Sequence, residues 1–134
     1  MKIESLDKTS FIEIKVIPQN LENDFETRIT IAAKNFAGNN DEIWFDKLEF
    51  ETFLNKLHNF DSNTDTLVLN SMSPNEFSFK IFRADNLGHI GIESTISKGL
   101  YLNDKYFENS CKVFFEFELS KINDLLNDFK KEFL

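Results

Sequence analysis

Hydrophobic and polar residues alternate along most of the chain. In "SFIEIKVI", Ile12, Ile14 and Val16 fall on one face of an extended chain. Glu13 and Lys15 fall on the other face. Successive side chains of a strand point to opposite faces, so a period of two predicts a half-buried strand. The same pattern predicts six further strands, in "FETRITIAAKNFAG", "EIWFD", "DTLVLNS", "EFSFKIFRA", "GHIGIESTIS" and "KVFFEFELS".

Two other segments carry apolar residues at helical spacing. Asp46 is placed to cap the first helix, with Glu49 three residues on as its capping-box partner. Ser120 is the predicted cap of the second helix. The apolar stripes that define the helices are Leu48, Phe50, Phe53, Leu54, Leu57 and Phe60 in the first, and Ile122, Leu125, Leu126 and Phe129 in the second.

The order of predicted elements is therefore β-β-β-α-β-β-β-β-α. The segment "GNND" (Gly38 to Asp41) predicts the turn between the second and third strands. Short connections favour antiparallel neighbours, and amphipathic helices need a sheet face to cover. We expect a single α+β domain over residues 1–134, in which a curved antiparallel β-sheet of about seven strands carries two amphipathic helices.

One connection, "KGLYLNDKYFENS", is long and combines aromatic with acidic side chains. A long loop of this composition is suited to contacting a partner. An acidic run near the start of the second predicted strand is a second candidate. The predicted contact residues are Tyr101, Asp104, Tyr106 and Glu108 in the loop, and Glu22, Asp24 and Glu26 in the acidic run.

Three aromatic residues lie on the polar faces of predicted strands: Trp44, Phe82 and Phe114. A second layer, such as a helix on the outer face of the sheet, would explain them. The alternative is a binding patch, since Trp and Phe anchor protein interfaces.

The chain is acidic. Its 15 Lys and Arg residues against 23 Asp and Glu residues give a formal net charge of −8. This balance argues against binding to nucleic acid, because a phosphate backbone is held by clustered basic residues. It suits a basic protein partner, although surplus charge also simply keeps a small protein in solution.

The sequence also bears on location. No segment approaches the ~20 apolar residues of a membrane helix, and the first residues lack the apolar run of a signal peptide. The single cysteine, Cys111, cannot form an internal disulfide. These features predict a cytoplasmic protein without membrane association.

Candidate catalytic chemistry is sparse. A thiolate–imidazole pair would need Cys111 with His58 or His89, but Cys111 shows no motif of a nucleophilic family. One cysteine and two distant histidines do not supply zinc-ligand spacing. The segment "DSNTDT" begins like a calcium loop but lacks the glycine and glutamate that such a loop requires. The sequence therefore predicts no catalytic, cofactor-binding or metal-binding residues, and no enzyme.

Three runs together resemble a known family: "DEIWFDKLEFETFLNKLHNF", "LVLNSMSPNEFSFKIFRADNLGHIGIE" and "CKVFFEFELSKINDLLNDFKKEFL". They are similar to the WapI-type immunity proteins of bacterial polymorphic toxin and contact-dependent inhibition systems. In that family an aromatic strand leads into a helix, a "G-H-I-x-I" strand follows, and a Phe-rich strand precedes a terminal amphipathic helix. The resemblance covers Asp41 to Leu134.

The resemblance implies a non-enzymatic inhibitor, made in the cytoplasm, that binds and neutralises one cognate toxin domain. Toxin-contacting residues vary between such proteins, so none is carried over. Acidic side chains would suit a basic toxin such as a nuclease, where carboxylates stand in for nucleic-acid phosphates. No cofactor is expected, and the free protein is expected to be a monomer.

A hypothesis from a different class is a ligand-binding or hydrolytic domain with a cleft between the sheet and the helices. A deep pocket with converging polar groups would favour it. An interior packed with phenylalanine side chains would count against it.

Overall fold

Two antiparallel sheets of four strands each form the framework of the computed structural model, which describes residues 1–18, 23–61, 66–73 and 75–133. The strand order follows the chain in both sheets. The first sheet contains β1 (Lys2–Glu4), β2 (Phe11–Val16), β3 (Asp24–Ala33) and β4 (Phe36–Asp46). The second contains β5 (Leu67–Asn70), β6 (Phe77–Arg83), β7 (Ile90–Leu102) and β8 (Lys105–Phe117). The helices are α1 (Lys47–His58), between the sheets in sequence, and α2 (Ile122–Phe133), after β8.

The predicted α+β class is confirmed, but the prediction of one curved sheet of about seven strands is wrong. The strand that the sequence pattern missed is β1, whose three residues are too few to show alternation. The two sheets meet at their edges through single backbone hydrogen bonds. The N–H of Leu6 donates to the carbonyl of Glu116 at 2.9 Å, and the N–H of Met72 donates to that of Trp44 at 2.8 Å.

The turn predicted at "GNND" is also wrong. The chain turns one segment earlier, at Asn35, whose φ of 70° lies in the left-handed region that asparagine tolerates. β4 then runs straight through the predicted turn. Opposite the Thr27–Ile29 stretch of β3, a bulge in β4 accommodates one extra residue of β4.

β4 packs against β7 and β8 of the second sheet. Near its start Gly38 lies against Cys111 of β8. Two residues later the buried side chain of Asn40 donates from Nδ2 to the carbonyl of Ser97 on β7, at 2.9 Å. These two contacts hold the first sheet against the second at this point.

Both helices pack into one core with the two sheets. The buried ring of Phe129 on α2 lies 5.7 Å from that of Phe50 and 5.6 Å from that of Phe53, both on α1. It also lies 6.0 Å from the ring of Phe79 on β6. Offset and edge-to-face contacts of this kind pack large rings without voids. Phenylalanine side chains therefore occupy the place where a cleft between sheet and helices would lie.

The two predicted helix caps have different outcomes. Asp46 caps α1 as predicted, since its Oδ1 accepts the N–H of Glu49 at 2.8 Å. Ser120 does not cap α2, because it lies inside a 3-10 turn (Leu119–Lys121) that leads into the helix. The predicted buried stripe of α2 is nevertheless confirmed in full.

Candidate binding surface on the β7–β8 hairpin

The β7–β8 hairpin projects beyond the core of the domain. Its strands stay paired to Leu102 and Lys105, and Asn103 and Asp104 make a turn with φ values of 50° and 64°. Two consecutive residues with positive φ are typical of a type I′ hairpin turn. The prediction of a long loop here is therefore wrong. From residue 100 to residue 110 every side chain is exposed.

The projecting part of the hairpin carries an unusual number of large apolar side chains. Cross-strand partners in an antiparallel pair point to the same face, so Leu100 lies beside Phe107 and Tyr101 lies beside Tyr106. The first face continues the core-facing side of β7 and β8 past the point where the core ends. The exposed fractions are 51% for Leu100, 71% for Tyr101, 57% for Leu102, 53% for Tyr106 and 51% for Phe107.

The two tyrosines form a small platform on the second face. The ring of Tyr106 lies flat across Gly99, where a side chain would collide with it. Its centroid is 5.2 Å from that of Tyr101, and its hydroxyl donates to Oε2 of Glu108 at 3.1 Å. Partial desolvation, and then the bond to Glu108, raise the pKa of Tyr106 above its usual value. The phenol therefore stays neutral at physiological pH.

The predicted contact residues fall on two separate elements. Tyr101, Asp104, Tyr106 and Glu108 all lie on the hairpin and are exposed. Asp24 and Glu26 lie on β3 in the other sheet, opposite Asp46 and Trp44, and are half-buried. Glu22 lies outside the described residues. The sequence prediction missed the exposed apolar residues Leu100 and Leu102, which stood in the predicted loop without a pattern that marked them, whereas Phe107 was one of the aromatic residues of that loop.

In the part of the chain that the structure describes, no helix covers the aromatic residues on the polar faces. Both helices pack on the inner side of the sheets, so the predicted outer layer is wrong for Phe82 and Phe114. These two rings instead pack on each other, 5.9 Å apart, across Gly91. Phe114 remains 53% exposed. Trp44 is half-buried beside Glu26.

His89 of the "LGHIGIE" segment belongs to a cluster of charged groups at the β6–β7 turn, together with Asp85 and Glu116. Nδ1 of His89 lies 2.5 Å from Oδ2 of Asp85, whose other oxygen accepts the N–H of Leu87 at 2.7 Å. Nε2 of His89 lies 3.9 Å from Oε1 of Glu116. The hydrogen bond to Asp85, helped by the charges of Asp85 and Glu116, raises the pKa of His89 above 6.5. The same bond lowers the pKa of Asp85. The cluster orders an exposed turn.

This cluster predicts a pH dependence. A histidine whose folded-state pKa is raised contributes stability that is fully present below its unfolded value of 6.5 and is lost as the pH rises through the folded pKa. We therefore expect the imidazole resonance of His89 to titrate above pH 6.5 in an NMR experiment. In Asp85→Asn the midpoint should fall toward 6.5. An unchanged midpoint in Asp85→Asn would show that the ion pair does not form in solution.

The other candidate chemical groups lie apart. Cys111 packs against β4, His58 ends α1 and His89 lies in the β6–β7 turn, and within the described residues no hydrogen bond joins the cysteine to either histidine. The described part of the chain contains no group of three or more His, Cys, Asp or Glu residues arranged to hold a metal ion. Neither helix in the described residues has the length and apolar character needed to cross a membrane.

No protein-family model matches the chain, and neither a curated protein nor a solved structure matches it.

Proposed function

We propose that this chain is an inhibitory protein that binds a basic toxin domain in the cytoplasm and contacts it through the β7–β8 hairpin. The observation that carries the proposal is the exposure of five large apolar side chains on one projecting hairpin. Large aromatic side chains at the centre of an interface supply most of its binding energy, and exposed apolar clusters mark such interfaces.

The surroundings of these side chains support a protein partner. Both faces of the hairpin are apolar in part, so a partner with a concave surface can enclose it. The ring of Tyr106 already lies against Gly99 and its hydroxyl is already bonded to Glu108, so this side chain loses less conformational entropy on binding than an uncontacted one would. Two carboxylates, those of Asp104 and Glu108, lie at the rim, where charge steers association more than it adds affinity.

Two sequence features support a toxin as the partner class. The resemblance to WapI-type immunity proteins implies a toxin-neutralising role. The net charge of −8 suits a basic toxin such as a nuclease.

The competing hypothesis of a ligand-binding or hydrolytic cleft finds less support. Its cleft would lie between the sheets and the helices, where the rings of Phe50, Phe53 and Phe129 are in contact. Among the described residues, an open surface groove of about 620 Å³ lies near Asp46 and Glu49, and the side chain of Asp46 is already used as the helix cap.

The direct test is co-purification with the product of the gene immediately upstream. The proposal expects that product to be a secreted toxin whose C-terminal domain forms a stable complex with this chain and loses its activity in the complex. A neighbour that is not a toxin, or that does not bind, would refute the proposal.

The hairpin gives this test a residue-level prediction. In the complex, Tyr101→Ser and Phe107→Ser should each weaken toxin binding by about a hundredfold, measured by calorimetry, because each removes an anchor side chain. Charge reversal at Asp104 or Glu108 should mainly slow association at low salt. The matched control is Leu87→Ser, which removes an apolar side chain that is 83% exposed in the β6–β7 turn.

The control should bind as the wild type does. Charge reversal at Asp24 and Glu26 then decides whether β3 also takes part, because unchanged affinity in both variants would remove that segment from the interface. If Tyr101→Ser and Phe107→Ser each bound the toxin with wild-type affinity, the hairpin would not be part of the interface.

A further inference from the structure

Within the described residues, the outer edge of β8 is unpaired over most of its length. β8 is the last strand of the second sheet, and β7 is its one strand partner in the part of the chain that the structure describes. In an antiparallel strand the backbone groups of alternate residues point away from the partner. The carbonyl of Glu116 points outward, because it accepts the N–H of Leu6. The same alternation directs outward the N–H and C=O groups of Phe114, Lys112, Ser110, Glu108 and Tyr106.

Such an edge is a template for another strand. Among the described residues, no backbone hydrogen bond other than that of Leu6 reaches this edge. The side chains of residues 105–110 are all exposed, so nothing described covers it there. Beside the other half of the edge lies an open groove of about 560 Å³, walled by Leu6, Phe36, Lys112 and Phe114. The ring of Phe36 is 64% exposed in this groove.

We propose that the occupant of this edge is a second copy of the chain, whose own β8 pairs antiparallel to it about a two-fold axis at Ser110. An isologous contact of this kind places each residue and its counterpart at equal distances from the axis. Lys112 then faces the Glu108 of the other copy, and this pair occurs twice. Phe114 faces Tyr106 in the same way, and Val113 faces Phe107.

Charge selects this register over its neighbours. The registers centred one residue away, on Asn109 or Cys111, also bring outward backbone groups together, but they set Lys112 opposite Tyr106 or Ser110 and lose both ion pairs. The register centred on Lys112 sets that lysine against itself, and the one centred on Glu108 sets two carboxylates together. Like charges directly opposite each other destabilise a strand pair, whereas opposite charges stabilise it. Pairing stops at Phe114, because Leu6 already occupies the carbonyl of Glu116.

The same arrangement accounts for the exposed apolar groups. In this register the hairpin of one copy enters the groove of the other. Its Phe107 lies beside Val113 and reaches toward Phe36, since Val113 and Phe36 both line that groove. On the opposite face Tyr106 joins the ring of Phe114. Four side chains that are each more than half exposed in the single chain are covered together by one symmetric contact.

This inference does not rest on the proposed function. It departs from the monomer expected from the sequence, and it can be measured without any partner. Because the pairing covers Tyr106, Phe107 and Glu108, a toxin that binds the hairpin would compete with it.

The first test is the molar mass of the intact chain by sedimentation equilibrium. The mass should rise with concentration from 15.7 kDa toward twice that value. Glu108→Lys and Lys112→Glu should each raise the dissociation constant of the dimer by about tenfold or more, because each sets two like-charge pairs across the axis. The double variant, which exchanges the charges, should return it close to the wild-type value.

Matched controls are Glu13→Lys and Lys15→Glu, an exposed ion pair on β2 that undergoes the same changes of charge. They should leave the dissociation constant unchanged. A mass of 15.7 kDa at every concentration up to about 1 mM would overturn the proposal. So would a dimer whose stability the single variants do not change, or one that the exchanged pair does not restore.

A cross-link tests the position of the axis. In a hydrogen-bonded antiparallel pair the facing Cα atoms are about 5.5 Å apart, within the range of a disulfide. Ser110→Cys in a Cys111→Ser background should therefore give a disulfide-linked dimer under mild oxidation. Leu87→Cys in the same background should not. Equal cross-linking of the two, or none at Ser110→Cys, would overturn the register.

Discussion

Replacing Phe129 by alanine is expected to lower the free energy of unfolding by about 3–5 kcal/mol. The ring is fully buried and contacts rings from both α1 and β6, so its removal leaves a cavity that rigid neighbours cannot fill. Together with Phe133, whose ring lies 4.4 Å from that of Phe50, it holds α2 against α1. A loss of this size is a large fraction of the 5–15 kcal/mol that stabilises a typical domain. Urea unfolding followed by circular dichroism measures it.

The control for this prediction is Phe114→Ala, which removes the same ring from an exposed position on β8. With 53% of the side chain exposed, much less apolar area returns to water and no enclosed cavity forms. Phe129→Leu, which keeps most of the apolar volume, should fall between the two. Equal losses for Phe129→Ala and Phe114→Ala would mean that α2 does not dock as described.

Most elements of the fold could be predicted from the sequence because each has one buried side. The apolar positions of α2 and β2 mark the residues that avoid water. The stripe of α2 is buried as predicted, and so are Ile12 and Ile14 of β2, while Val16 is half-buried. The cap of α1 was predictable for a different reason. Asp46 satisfies backbone N–H groups within its own turn, so its role needs no tertiary contact.

The division into two sheets could not be predicted, because alternation identifies the buried face and not the partner strand. A strand of one curved sheet and a strand of two packed sheets show the same period of two. The packing of two sheets against each other depends on a small set of specific contacts between them. The main ones are the close approach of Gly38 to Cys111 and the bond from Asn40 to Ser97, between residues about sixty to seventy positions apart.

The candidate binding surface was located in part. Tyr101, Asp104, Tyr106 and Glu108 do lie together on the exposed hairpin. Their strand structure was missed because both faces of the hairpin are exposed. Its polar and apolar residues therefore do not alternate with a period of two. The apolar face formed by Leu100, Leu102 and Phe107 is visible only once the pairing of β7 with β8 is known.

Gly38→Ala is expected to destabilise the protein by about 1–3 kcal/mol, although the same change at most strand positions is mildly stabilising. The φ angle of Gly38 is not in the left-handed region, so the backbone itself accepts alanine. The penalty comes from space. A Cβ at this position would lie 2.8 Å from Cβ of Cys111 and 3.0 Å from Cδ1 of Ile96, where β4 packs against β8. Since Cβ of Cys111 is fixed by its own strand, the sheets must move apart to relieve the contact.

Two further variants separate this explanation from a general effect of glycine. Gly91→Ala would also bring a Cβ to 2.6 Å from another side chain, but that atom belongs to the ring of Phe114, which is free to turn into solvent. It should therefore change the free energy of unfolding little. Cys111→Gly in the Gly38→Ala background removes the obstructing carbon, so the two changes together should cost less than the sum of each alone, by about 1 kcal/mol. Additive costs would show that the sheets do not approach each other at this point.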